Sequence, residues 1–106
     1  MPTFVITGSY SCKAAADMLA NPRDREQLAK SIVGSAGGTL VSFHVTTGPT
    51  DILMLVEVDK VESLMAGRVV AAASGSFTGL ETQRAFTSAE FTGIQKAAQG
   101  LANPYA

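Results

Sequence analysis

The most constraining feature of this sequence is a predicted β-hairpin within residues 37–59, whose second strand carries apolar side chains at consecutive positions. In residues 52–56, Ile-Leu-Met-Leu-Val, neighbouring side chains point to opposite faces of a sheet, so both faces of this strand are apolar. Gly48 and Pro49 interrupt the chain before it, because proline fixes φ and lacks a backbone donor. We therefore predict a strand that is buried on both sides.

The other strand of the hairpin is predicted over residues 40–47. Alternation assigns one face to Val41, Phe43 and Val45, and the opposite face to Leu40, Ser42, His44 and Thr46. If Thr47 pairs with Thr50, this second face is shared with Leu53, Leu55 and Glu57 of the next strand.

Elements before the hairpin are predicted from their end signals. A first strand covers residues 3–7, and residues 11–19 form a short helix. Asn21-Pro22 is an N-cap candidate followed by proline at the first helical position, so a second helix is predicted to begin there. It stops at Gly37-Gly38, where glycine adopts the left-handed conformation at little cost.

Elements after the hairpin follow the same logic. Asp59 with Glu62 resembles a capping box, which predicts a helix that ends near Gly75 and turns Val61, Leu64, Met65 and Val69 inward. A last strand runs from about residue 78 to 86. Thr87 and Glu90 form a second capping box that opens a C-terminal helix with Phe91 and Ile94. The tail, residues 100–106, is expected to be loose.

The order strand, helix, strand, strand, helix, strand predicts a single α+β domain over residues 1–106, with a ferredoxin-like antiparallel sheet and an extra C-terminal helix. Its helices cover one face of the sheet, and the other face would leave Val5, Leu53 and Leu55 in water. In a chain of this length a second copy must supply the cover. We therefore expect a homo-oligomer, at least a dimer, with sheets packed face to face.

The composition limits the classes of molecule that the chain is expected to bind. The chain is 46% hydrophobic and 16% charged, which is typical of a folded domain, and eight basic residues balance nine acidic ones. This balance indicates neither a nucleic-acid partner nor an anionic membrane partner. The single cysteine, the absence of a secretory signal pattern and the lack of a bilayer-length apolar run predict a cytoplasmic protein.

The chain resembles the GYD domain family of small bacterial and archaeal proteins over roughly residues 2–86. The resemblance rests on the opening MPTFVITGSY, Asn21-Pro22, the stop at residues 36–38, the turn at residues 48–51 and the run at residues 52–59. Gly48 and Asp51 match the family's turn motif, whereas Thr50 stands where the family has tyrosine. The resemblance implies a ferredoxin-like fold of the dimeric α+β barrel group, and it implies no particular activity.

His44, the only histidine, is the first candidate functional residue. Histidine side chains in general suit proton transfer near neutrality, but a hydrogen-bonded interface histidine is the interpretation we favour. A direct His44–Glu57 pair is excluded within one chain, because Glu57 lies four strand residues beyond the partner of His44, about 13 Å away.

Glu57 is the second candidate, because a carboxylate beside Leu53 and Leu55 is costly unless it is paired or reaches water. Arg84 or Arg68 is the expected cation. The predicted ligand-binding set is therefore His44, Glu57, Ser42, Leu55 and Arg84, with Asp51 as a turn residue that binds local amides.

Two functions follow from these residues. The first is a non-catalytic oligomeric module, either a structural assembly unit or a sensor that binds a small apolar or amphipathic metabolite between its sheets. The second is a cofactor-independent monooxygenase or isomerase that uses His44 and Glu57 in a pocket between the sheets of the dimer. Neither needs a cofactor or a metal, since one histidine and one cysteine without clustered carboxylates make no ligand set. We favour the first, because convergent polar residues are sparse.

Overall fold

A computed structural model of the chain describes residues 1–105. The elements in chain order are β1 (Thr3–Tyr10), α1 (Cys12–Ala20), α2 (Glu26–Ser35), β2 (Thr39–Val45), β3 (Ile52–Glu57), α3 (Val61–Ala73), β4 (Phe77–Ala85) and α4 (Ser88–Gln99). The tail that was predicted to be loose extends to residue 106, which lies outside the described residues.

The four strands form one antiparallel sheet in the order β2-β3-β1-β4. Consecutive strands β2 and β3 form a hairpin, and β1 lies between β3 and β4, which is the ferredoxin-like arrangement. The predicted α+β fold class is therefore confirmed, with α4 as the additional C-terminal helix.

The two faces of β3 differ in their surroundings. Ile52, Met54 and Val56 are buried, and Met54 and Val56 join Val33 of α2 and Leu64 of α3 in the core. Leu53, Leu55 and Glu57 alternate with them and are only half-buried. We call the first side the covered face and the second, which also carries Val5, the open face.

A β-bulge in β2 changes the predicted faces of that strand. Leu40 lies opposite Val56, whereas Ser42 lies opposite Leu55, so Val41 is the extra residue. Leu40 therefore packs against the core on the covered face and does not share the face of Ser42 and His44. The prediction for Leu40 was wrong because a one-residue insertion reverses the alternation on one side of it.

The start of α2 also differs from the prediction. Asn21 ends α1, since its amide donates to the carbonyl of Asp17 at 2.8 Å, and it is therefore not the N-cap of the next helix. Helix α2 begins at Glu26, whose amide donates to Asp24 Oδ1 at 2.9 Å. Its end is as predicted, because Gly37 has φ of 79°.

Helix α3 follows Lys60, which makes no side-chain capping bond, so the predicted Asp59–Glu62 capping box is wrong. Its inward face was also predicted wrongly apart from Leu64, because Val61, Met65 and Val69 are 44%, 44% and 63% exposed. Helix α3 carries apolar side chains on nearly all sides, so the spacing of its apolar residues does not identify the side that faces the core. The predicted end near Gly75 is correct, with φ of 77°.

Helix α4 begins with the predicted capping box. The amide of Glu90 donates to Thr87 Oγ1 at 3.1 Å, and the amide of Thr87 donates to Glu90 Oε1 at 2.8 Å. No residue of α4 is buried, and Phe91 and Ile94 are 52% and 42% exposed. The helix thus extends away from the domain, and the molecule has a long dimension of 58 Å.

Candidate functional site

A cavity of about 260 Å³ lies between α2, α3 and the covered face of the sheet. Small side chains leave this space, since α2 and the residue after it contribute Ala29 and Ala36 to the lining and α3 contributes Gly67 and Ala71. Larger apolar side chains complete the walls, namely Ile6, Leu28, Ile32, Val33, Phe43, Ile52, Met54, Leu64, Val70, Phe77 and Leu80. An apolar cavity with a few polar groups is typical of a small-molecule site.

Polar residues complete the lining, namely Tyr10, Arg25, Arg68, Ser74, Ser76 and Thr82, and the first two lie together at one end of the cavity. The Arg25 guanidinium carbon lies 5.3 Å from the centre of the Tyr10 ring, in cation–π contact, and the Tyr10 ring stacks on Phe77 at 5.6 Å. An open surface depression adjoins this end and shares Tyr10, Arg25 and Phe43 with the cavity. These three residues therefore lie between the cavity and solvent.

Arg25 is held by the loop that precedes α2. Its side chain is 13% exposed, and Nη1 lies 3.5 Å from Asp17 Oδ2, within ion-pair range. Asp17 Oδ2 accepts its hydrogen bond from Arg23 Nη2 at 3.1 Å instead. Among residues 1–105, no atom accepts a hydrogen bond from the buried Arg25 Nη1, and a buried donor without an acceptor costs about 1–3 kcal/mol.

Tyr10 is neutral in this setting. Burial raises the pKa of its hydroxyl above the ordinary value, and the neighbouring Arg25 opposes that shift only in part. The neutral phenol both donates and accepts hydrogen bonds. The backbone amide of Tyr10 donates to Asp51 Oδ2 at 2.8 Å, which ties this end of β1 to the turn between β2 and β3.

Arg68, on α3, is the other cation in the cavity wall. Its Nη2 donates to the carbonyl of Leu80 at 2.8 Å and so links α3 to β4. Arg68 forms no ion pair with Glu57, although this pair was one of the two predicted. Its hydrogen bond to Leu80 instead keeps α3 and β4 together in the cavity wall.

Most of the predicted ligand-binding residues lie on the open face, on the other side of the sheet. Ser42 lies opposite Leu55, and His44 lies opposite Leu53 with its side chain exposed. Ser42 Oγ is buried without a hydrogen-bond partner among the described residues. Neither residue lines the cavity, and whether the set binds a ligand stays a prediction.

Glu57 lies at the end of β3, with Thr3 of β1 on one side and Thr39 of β2 on the other. It is half-buried, and it forms no ion pair within residues 1–105. It lies four positions along β3 from Leu53, the partner of His44, which is a distance of about 13 Å. The expectation that the two side chains cannot touch in one chain therefore holds.

Arg84 was predicted as the partner of Glu57, and this prediction is wrong. It lies opposite the buried Phe4, which places it on the covered face. Its guanidinium donates to the carbonyls of Thr3 and Ala85 and to Glu90 Oε2 at 3.3 Å, and it also lies over the ring of Phe86. Arg84 thus connects β1 and β4 to the start of α4.

Asp51 of the turn motif bonds to a residue more distant in the chain than predicted. Asp51 was expected to bind local amides, yet its carboxylate accepts from Tyr10, 41 residues earlier in the chain. The backbone amide of Asp51 also donates to the carbonyl of Gly8 at 2.7 Å. The turn that begins at Gly48 is therefore fastened to β1 beside the polar end of the cavity.

Tyr10, Arg25 and the cavity itself were not predicted from the sequence. The available signals were a tyrosine at the end of the first strand, an arginine within the polar segment before α2, and the small residues of α2 and α3. None of these is specific. Only the packing of two helices on the sheet brings them together.

Metal sites and membrane spans are two other classes of feature. Within residues 1–105, no group of three or more histidine, cysteine, aspartate or glutamate side chains is placed to hold a metal ion. In the same part of the chain, no helix has the length and apolar character needed to cross a bilayer.

Comparisons with known proteins agree with the fold. The sequence profile of the GYD domain matches residues 4–94. A protein from Thermus thermophilus is 20% identical, with a TM-score of 0.53 over 83% of this chain and 96% of its own. An uncharacterised NIPSNAP domain protein from Burkholderia xenovorans is 13% identical, with a TM-score of 0.52 over 84% and 96%. No curated protein sequence matches the chain.

Proposed function

The chain belongs to the GYD domain family, and from this premise we propose that it is a homodimeric module that binds a small apolar molecule between its helices and its sheet. The observation that carries the proposal is the cavity of about 260 Å³ with walls of apolar side chains from α2, α3 and the sheet. This volume corresponds to about nine water molecules, or a ligand with a similar number of methylene-sized groups.

The chemistry of the walls supports binding over catalysis. Among the described residues that line the cavity, none is a histidine or a carboxylate, the groups that most often act as general bases near neutrality. Tyr10, Arg25 and Arg68 instead offer hydrogen bonds and positive charge. The cavity is therefore suited to hold a ligand and offers no evident proton acceptor for an isomerase.

The dimer is proposed from the open face. Val5, Leu53 and Leu55 form an apolar centre on two neighbouring strands, and Val41 at the bulge is 51% exposed. Contiguous apolar surface of this kind marks an interaction site. A two-fold axis brings such a patch against its own copy, so one surface serves both subunits.

Binding is tested with 1-octanol, a neutral probe of suitable size, titrated into the ¹⁵N-labelled protein. We expect saturable shifts of the amide resonances of Ala29, Ile32 and Gly67, which line the cavity. Ala71→Phe fills the cavity and weakens octanol binding at least about tenfold, whereas Ala72→Phe, at the exposed neighbouring position of α3, leaves it unchanged.

Absence of saturable shifts at the lining residues of the folded protein overturns the binding proposal, as does equal affinity of the two phenylalanine variants. The dimer is tested separately by light scattering at micromolar concentration. The expected mass is twice that of the 11.0 kDa chain, and a particle of the single-chain mass overturns the dimer.

A further inference from the structure

The geometry points to an amphipathic monocarboxylate as the ligand of this cavity, with its chain inside and its carboxylate on Arg25 and Tyr10. This inference rests on the proposed function and adds the chemical class of the ligand. It follows from the placement of the Arg25 guanidinium and the Tyr10 side chain at one end of a cavity whose walls are mainly apolar.

The first step is the unused donor. Arg25 Nη1 is buried and has no hydrogen-bond acceptor among the described residues, although Asp17 Oδ2 lies 3.5 Å away. A guanidinium presents its N–H groups in a planar fork that fits the two oxygens of a carboxylate. A ligand carboxylate at this position supplies the missing acceptor.

The second step is charge. Asp17 lies between Arg23 and Arg25, at 3.1 Å and 3.5 Å, so one carboxylate faces two guanidinium groups. The carboxylates of Asp24 and Glu26 line only the adjoining depression. The charged side chains that line the cavity itself, Arg25 and Arg68, are both cations, so a monoanion is attracted there and a cation is repelled.

The third step is the position of these groups. Tyr10, Arg25 and Phe43 line both the cavity and the adjoining open depression, so they stand at its mouth. A ligand that enters chain-first buries its methylene groups against α2 and α3. Its head group then stops at Arg25 and at the neutral Tyr10 hydroxyl, close to solvent.

Three ligands with the same chain and different head groups separate this inference from the proposed function. Octanoate, 1-octanol and octylammonium are titrated into the wild-type protein at pH 7, and binding is measured by calorimetry and by the amide shifts of cavity residues. We expect octanoate to bind at least about tenfold more tightly than octanol, and octylammonium to bind most weakly.

The preference is assigned to Arg25 with a matched pair of variants. Arg25→Gln is expected to reduce the octanoate-to-octanol preference to less than about threefold, while octanol still binds and reports an intact cavity. Lys30→Gln removes one positive charge from the exposed side of α2, and it leaves the preference unchanged.

Each result decides one of the two claims. Equal binding of octanoate and octanol to the wild type overturns the carboxylate inference and leaves the apolar-binding proposal standing. Failure of all three ligands overturns both. If Arg25→Gln does not fold, the ranking of the three ligands on the wild type still decides the head-group preference, and a preference that survives in folded Arg25→Gln overturns the role of Arg25.

Discussion

The two faces of β3 both carry large apolar side chains, yet they have different surroundings. On the covered face Ile52, Met54 and Val56 are 2%, 8% and 0% exposed beneath α2 and α3. On the open face Leu53 and Leu55 are only half-buried, because no helix within residues 1–105 packs over them. The difference separates the face that one chain covers by itself from the face that we propose a second copy covers.

The same difference separates the residues predicted from the sequence to bind a ligand from the cavity. Polar groups predicted from the sequence, His44 and Glu57, lie on the open face, where they are far apart. The cavity lies on the covered face, where small residues of α2 and α3 leave the core incompletely filled. One side of the sheet is therefore the proposed protein interface, and the other forms part of the proposed small-molecule site.

The largest expected effect is on the covered face. Ile52→Ala removes a fully buried side chain, and we expect it to lower the free energy of unfolding by about 2–5 kcal/mol. Urea unfolding at several protein concentrations measures this loss, which does not depend on concentration. The matched change on the open face, Leu53→Ala, acts mainly through dimerisation, so its effect grows with protein concentration. Equal, concentration-independent losses would contradict the distinction between the faces.

The next effect tests the open face directly. Leu55→Lys places an ammonium group in the proposed interface and is expected to weaken dimerisation at least about a hundredfold, or about 2.8 kcal/mol, while each chain stays folded. Sedimentation measures the dissociation, and circular dichroism reports the fold. Ala72→Lys, on the exposed side of α3, serves as the control for added charge. A Leu55→Lys protein with unchanged size and melting temperature would show that this surface is no interface.

A smaller effect is expected in α4, which lies outside the hydrophobic core. Thr87→Ala removes the capping hydrogen bond of α4, which typically costs about 0.5–2 kcal/mol of helix stability. Because α4 buries no residue, hydrogen exchange in α4 should accelerate while the melting temperature of the domain stays within error. A clear drop in melting temperature would mean that α4 packs on the domain or on a second copy.

The cap also predicts a pH dependence. The hydrogen bond from the Thr87 amide lowers the pKa of Glu90, with smaller contributions from the Thr87 hydroxyl and Arg84. A lowered pKa in the folded state stabilises α4 above the ordinary glutamate value of about 4.3, and this stabilisation is lost as the pH falls through the lowered value. Protection factors of the α4 amides, which are corrected for the intrinsic exchange rate at each pH, should therefore fall as the pH drops below the ordinary glutamate value, and Glu90→Gln should abolish that dependence.

The smallest effect is expected at His44. His44→Gln keeps a donor and an acceptor at an exposed position, so the dimer should persist and octanol should bind within about tenfold of the wild type. Light scattering and the octanol titration check both. A compound whose turnover falls about a hundredfold in this variant while its binding survives would establish proton transfer by His44 and refute a purely binding role.

The sequence by itself determined the elements and their order. The doubly apolar run at residues 52–56, the glycines that end α2 and α3, and the Thr87–Glu90 cap each depend on residues a few positions apart, so local chemistry is sufficient to read them. The ferredoxin-like arrangement follows from that order, because few topologies connect such elements without crossing.

The tertiary structure decided which side chains share a face of the sheet or helix and where the cavity lies. One extra residue at Val41 moved Leu40 to the covered face, and the pairing of β4 with β1 set Arg84 beside Phe4 and away from Glu57. The nearly uniform apolar surface of α3 left its inward side to be chosen by packing. The cavity and its mouth at Arg25 depend on how closely two helices pack against one sheet. That spacing is set by contacts between residues far apart in the chain.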